Sequence, residues 1–289
     1  MGKKLTLFIL SIFLWIMGCT TNINTLSRYI PAQKNIKFLA DQGRYHWEKR
    51  VDSKNAKSAR TFLSKANLLN PDDKEVVALY ARACHFTGYY FEENLNTSDS
   101  LFIEGMNVAW EYIISTDEYQ EGVALSDGDS TTKMISGIEN LSQEMVPILF
   151  WWISNYSQFL ITKPVLERLK NREVIETALH KVLALQPDFF YHGANRIFGG
   201  IYARLPGVEL KNSIINFDRS LIGSPNYIGT YVIRARYLHT KTGNLEAFMN
   251  DLQLVLNADP TILPQVSPEN LLEQEKARNL LKQASSLFE

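Results

Sequence analysis

The residues best equipped for chemistry lie in one run, Asp188-Phe189-Phe190-Tyr191-His192-Gly193-Ala194-Asn195-Arg196-Ile197-Phe198-Gly199-Gly200-Ile201-Tyr202-Ala203-Arg204-Leu205-Pro206-Gly207. Arg196, with Tyr191, His192 and Asn195 close by in sequence, offers the donors that recognise an anionic group. The same run is also what helix packing with arginine stems over aromatic rings looks like. Glycine in a helix costs about 1 kcal/mol relative to alanine, so Gly193, Gly199 and Gly200 imply a close helix contact or access for a ligand. A second aromatic set, Phe150, Trp151, Trp152, Tyr156 and Phe159, covers roughly two and a half helical turns. It has no single face to occupy, so part of it lines a groove, an interface or a cavity. The candidate ligand-binding residues are therefore Trp151, Tyr191, His192, Asn195 and Arg196.

No catalytic residue is assigned. The chain has no Gly-x-Ser-x-Gly elbow and no phosphate loop, and Gly199-Gly200 is not followed by Gly-Lys-Ser/Thr. His46, His85, His180, His192 and His239 are scattered without metal-ligand spacing, and no cofactor motif stands out. Asp127, Asp129 and Thr131 lack the rest of a calcium loop. Asp72-Asp73 sits where helix-capping carboxylates belong. His192 with some nearby acid is the one place for acid–base work, and the reading is of a protein that is not an enzyme. Lys and Arg number 30 against 31 Asp and Glu, a net charge of −1. That gives no field for nucleic acid.

The start of the chain carries a different chemistry. Lys3-Lys4 precedes an apolar run from Leu5 to Met17, shorter than the ~20 residues of a bilayer span but right for a secretory signal peptide. Ile16-Met17-Gly18-Cys19 resembles a bacterial lipobox, in which the cysteine thiol takes up a diacylglycerol. Residues 1–18 read as a lipoprotein signal peptide, Cys19 as the lipid-attachment site, 19–32 as a tether and 33–289 as one helical domain. The protein would be periplasmic, held to a bacterial membrane through lipid alone, with inner or outer membrane left open. Cys84, in a helical pattern, reads as a packed core thiol.

The elements that must position these residues are helices. Val76, Val77, Leu79, Tyr80 and Ala83 recur at helical spacing, as do Val174, Ile175, Ala178, Leu179 and Val182, and Phe248, Leu252 and Val255. Pro71, Pro187, Pro225 and Pro260 each stop an apolar helix. The last three are 38 and 35 residues apart, close to the period of about 34 of tetratricopeptide helix pairs. Gly243 falls at an inter-helix turn. The spacing predicts an all-α protein, an α-solenoid of tetratricopeptide-like helix pairs. Residues 94–100 and 122–137 read as polar or glycine-bearing connections, and Pro147 should start or kink the aromatic helix.

An ordered set of segments resembles the TRAP transporter T-component (TatT) family. Val146-Pro147-Ile148-Leu149-Phe150-Trp151 is similar to its Pro-x-Leu-Tyr-Trp helix, and Val182-Leu183-Ala184-Leu185-Gln186-Pro187-Asp188-Phe189 to its Val-Leu-x-Leu-Asp-Pro-x-Tyr turn. Tyr191-His192-Gly193-Ala194, Leu205-Pro206-Gly207, Asn216-Phe217-Asp218-Arg219-Ser220 and Val255-Leu256-Asn257-Ala258-Asp259-Pro260 follow in order. After Leu-Pro-Gly the chain departs from the family's Gly-Gly-Asp pattern, reading Val208-Glu209-Leu210. The resemblance implies a non-catalytic periplasmic lipoprotein that partners the solute-binding protein of a TRAP transporter. It would help bind or pass a small organic ligand, hydrophobic ones included, and a homotrimer is one assembly it allows. The alternative is a generic scaffold lipoprotein for envelope protein assembly, with an exposed concave face and no enclosed cavity.

Overall fold

The computed structural model describes residues 23–289. Residues 1–18, read above as a signal peptide, and Cys19 lie outside them. Every element is a helix and, among the described residues, there is no strand. Helices α1 (Ile23–Glu48) and α2 (Ser53–Leu69) pack as a pair, as do α3 (Lys74–Phe91) with α4 (Leu95–Ser115), and α5 (Asp117–Ala124) with α6 (Ser130–Glu139). Helix α7 (Val146–Ile161) lies against α3 and α4; α8 (Val165–Lys170) leads into α9 (Arg172–Leu185), which packs on α6 and α7. Then come the pair α10 (Phe189–Tyr202) and α11 (Leu210–Gly223), α12 (Gly229–Arg234), a π-helical turn (Ala235–His239), α13 (Thr240–Thr242), α14 (Leu245–Asn257), α15 (Ser267–Lys282) and α16 (Ala284–Phe288). The protein is all-α, built by consecutive packing of helix pairs. Helix α1 opens at Ile23, inside the segment read as a tether.

The four proline stops stand just beyond the C-termini of α2, α9, α11 and α14, because proline disfavours the α region in the residue before it. Gly243 closes α13 with φ +66° in the left-handed region, where glycine pays no Cβ penalty. Pro147 starts α7 rather than kinking it. Two connections turn out to be largely helical, with residues 125–129 alone left as a non-helical link between α5 and α6. Residues 95–100 are the first turns of α4, made possible by Asn94, whose side chain accepts from the amides of Asn96 and Thr97. Residues 122–137 hold the end of α5 and nearly all of α6. Asp129 caps α6 by accepting from Thr132 N, and Gly122 and Gly137 lie at the crossing, where a Cβ on Gly122 would come within 2.6 Å of Ser136 O. The glycines mark close packing, not a flexible link.

Helix α7 is buried all round, from Ile148 to Asn155, the mark of a helix at the centre of a larger body. Trp152 stacks on Trp110 with centroids 4.8 Å apart. Cys84 is buried as a core thiol, and burial pushes its pKa well up, away from reactivity. The last long helix returns to the first. Glu269 of α15 pairs with Arg50, just beyond α1, at 2.7 Å and with Arg82 of α3 at 2.7 Å. Arg50 and Glu269 are 2% and 3% exposed, so both charges depend on each other. The stack of helix pairs thus closes on itself around an interior space.

Candidate functional site

That space is lined by side chains from α3, α7, α10, the α11–α12 connection, the π-turn and α15, and it holds about 810 Å³ of atom-free volume, open mouth included. His85, Phe86, Tyr89 and Tyr90 of α3 recur at helical spacing on one face and supply one wall. Phe150 and Trp151 of α7 supply a second, Phe190 and Tyr227 a third, and Glu269 and Glu273 of α15 the closing edge. Arg82, Arg196 and Arg204 also reach it.

The wall at α10 has an unusual backbone. Phe190, Tyr191 and His192 have φ of 46°, 58° and 54°, a left-handed turn made of three residues with large side chains. Such a conformation costs roughly 1–2 kcal/mol per residue. It is held from within. Arg196 donates from its two terminal nitrogens to Phe190 O at 3.2 Å and to Tyr191 O at 3.1 Å, and its guanidinium lies 4.2 Å from the Tyr227 ring centroid. Beyond the turn, Gly193 packs so tightly that a Cβ would meet Phe150 at 2.5 Å. The turn aims Phe190 at the cavity, 4.8 Å from Trp151 between ring centroids, with Arg82 at 4.8 Å and Arg196 at 5.6 Å from its ring.

Of the five residues singled out in the sequence, the structure brings Trp151 and Arg196 together on the cavity wall. The other three face elsewhere. Tyr191 stacks on Tyr227 at 5.3 Å and donates its hydroxyl to Gln265 at 3.0 Å. His192 shares a 2.8 Å hydrogen bond with Ser224 Oγ, and among the described residues no carboxylate hydrogen-bonds its ring. Asn195 donates to Asn216 across the α10–α11 contact at 3.1 Å. These three fasten the left-handed turn to its neighbours. Sequence reasoning missed Arg82, Tyr89, Tyr90, Phe190, Tyr227, Glu269 and Glu273. The aromatic face of α3 was legible from its spacing; the acids of α15 were not, because their partners lie more than 180 residues away.

The electrostatics of the interior are set by burial. Burial holds His85 down to about 3, aided by the charges of Lys276, Arg196 and Arg82, so its ring is neutral. Glu273 accepts from Tyr90 Oη at 2.7 Å. Burial raises its pKa, against Lys276 and Tyr90, and its Oε2 is buried without a partner. Lys276, 2.9 Å from the Tyr89 ring centroid, is lowered to about 7 by burial, against Glu273. Aromatic faces with a few oriented polar groups suit the holding of a small organic molecule.

The fold and this interior define a class: an all-α protein of paired helices wrapped around a central aromatic cavity. Within that class the chain belongs to the TRAP transporter T-component family, whose model matches residues 90–288, from the end of α3 through α16. It is a transport-associated component. No curated protein matches the chain. No helix among the described residues is long and apolar enough to cross a membrane.

Proposed function

We propose that this chain is a periplasmic, non-catalytic lipoprotein, anchored through acylated Cys19, that partners the solute-binding protein of a TRAP transporter and holds or passes a small organic ligand. The observation that carries the reading is the central cavity, with Trp151 and Arg196 in its wall and Tyr191, His192 and Asn195 supporting the turn that places Phe190. A scaffold for envelope assembly would need an open concave face; the return of α15 onto α1 and α3 argues for an enclosed space instead. Two measurements test it together. Native mass spectrometry of the purified protein should find a small molecule that is lost in W151A. The protein should also co-purify with a TRAP solute-binding protein from the same organism. Failure of that pair to associate at micromolar concentration, with no small molecule carried, would overturn the proposal.

A further inference from the structure

Tyr89 and Ile233 line the central cavity on one side and a second, separate hollow on the other. This hollow lies between α3, α12, the π-turn and the end of α15, and holds about 510 Å³ of atom-free volume, open mouth included. Lys276, Asn279 and Gln283 line it; their i, i+3, i+7 spacing puts all three on one face of the α15 end. Val232, Ile233 and Leu280 give it an apolar floor, and Arg236 adds a cation at its side. Among the described residues the Lys276 amine makes no ion pair and no hydrogen bond. Its close neighbours are the Tyr89 ring at 2.9 Å and the Tyr90 ring at 4.7 Å from their centroids. Glu273, one turn earlier on α15, accepts instead from Tyr90 Oη at 2.7 Å. An ammonium held against two rings without an acceptor has lost its water and gained little in return. Burial lowers its pKa to about 7 against Glu273, and Arg236 adds to the fall. The neutral amine that results carries a lone pair, the activated form of a lysine nucleophile.

We propose that Lys276 captures a small aldehyde or ketone in this second hollow as a reversible imine. The nitrogen lone pair attacks the carbonyl carbon, and the π pair of the C=O bond moves to oxygen. One nitrogen proton passes to that oxygen, giving a carbinolamine. The hydroxyl then leaves as water with the second nitrogen proton, and a C=N bond remains. Hydrolysis reverses every step, so the capture is stoichiometric and needs no oxidant or reductant. Arg236 and the side-chain amides of Asn279 and Gln283 supply donors for the carbonyl oxygen, and Val232 and Leu280 receive the carbon chain. The reaction stands apart from whatever the central cavity holds.

The test treats the purified full chain with propanal and sodium cyanoborohydride, which delivers hydride to the imine carbon and fixes it as a secondary amine. Peptide mass spectrometry then reads alkylation lysine by lysine, with the exposed Lys211 and Lys282 as references. At pH 7 an ordinary lysine is neutral in roughly one molecule in 2,000, whereas an amine with a pKa of about 7 is neutral in half. Lower basicity and narrower access reduce that advantage, and Lys276 should still react at least tenfold faster than either reference. Its rate should level off above about pH 8, while theirs climb about tenfold per pH unit towards pH 10. R236Q, with its fold checked by circular dichroism, should move the Lys276 profile to higher pH. Alkylation of Lys276 no faster than the references at pH 7 overturns the proposal. So does a rate that keeps climbing to pH 10, or a profile indifferent to R236Q.

Discussion

Replacing Tyr191 by glycine and by alanine gives a sign test of the left-handed turn. Both substitutions remove the ring that stacks on Tyr227 and the hydroxyl that reaches Gln265, so those losses cancel in the comparison. What differs is the Cβ. At φ 58°, ψ 55° alanine pays about 1–2 kcal/mol for its Cβ, while glycine pays nothing there but loses about 0.4–1 kcal/mol through its freer unfolded chain. Glycine should therefore be the more stable variant by about 1 kcal/mol. In a right-handed helix the order reverses, with alanine ahead by about 1 kcal/mol, so the two backbones are separated by about 2 kcal/mol. With a urea slope of about 2–3 kcal/mol/M, Y191G should unfold about 0.3–0.5 M later in urea than Y191A, followed by far-ultraviolet circular dichroism. An alanine variant as stable as the glycine variant, or more so, would refute the turn and the account of how Phe190 is aimed.

Removing the restraint on that turn should cost more. R196M keeps the stem but loses two charge-assisted hydrogen bonds and a cation–π contact, and should destabilise by about 3–5 kcal/mol in urea unfolding. At α10 the glycines should separate: a Cβ at Gly199 meets Phe217 at 2.8 Å, whereas one at Gly200 meets Ile233 at an ordinary 3.5 Å. G199A should then lose about 1–3 kcal/mol, and G200A should be neutral or gain up to about 1 kcal/mol. His85 is neutral in the folded protein down to about 3 but titrates near 6.5 when unfolded. Unfolding therefore takes up a proton as pH falls below about 6.5, and stability is lost towards about 3. Between about pH 7 and about pH 5 this amounts to about 1–2 kcal/mol, and the slope should flatten in H85F. E269Q leaves Arg50 buried against a neutral partner and should cost about 3 kcal/mol, with faster hydrogen exchange in α15 than in α4.

What was legible in the sequence was what is decided locally. Pro71, Pro187, Pro225 and Pro260 stop helices because each acts on its own neighbours, and Gly243 marks a turn for the same reason. The two segments read as connections were misjudged because composition was weighed over capping. Asn94 and Asp129 each satisfy helix-start amides with one side-chain oxygen, which allows polar residues to enter a helix. Gly122 and Gly137 are small because another backbone lies against them, and sequence alone gives small residues no partner. The left-handed turn was beyond reach, since Phe190, Tyr191 and His192 have side chains that oppose it, and what holds it is Arg196, the surrounding aromatic packing and the hydrogen bonds of Tyr191 to Gln265 and His192 to Ser224, all made by residues distant in sequence or by the folded turn itself. Of the candidate site, Trp151 and Arg196 were found through an excess of aromatic surface and a cation in an apolar run. Arg204 stood in the same run, but its place on the cavity wall is a property of the assembled structure.

The closure by α15 explains why the interior combines aromatic walls with buried carboxylates. An open stack of helix pairs would leave the aromatic face of α3 against water, an apolar patch of the kind that invites association. Bringing α15 across it covers Phe86, Tyr89 and Tyr90 at the cost of burying Glu269 and Glu273. Glu269 is compensated by two arginines. Glu273 has only the Tyr90 hydroxyl and the nearby Lys276, so one carboxylate oxygen is left without a partner. A buried acceptor of this kind is tolerated when the group is protonated or when something donates to it. The interior thus sets an unpartnered carboxylate oxygen at the α15 edge and the half-buried Arg204 at the α10 edge, with aromatic rings between them.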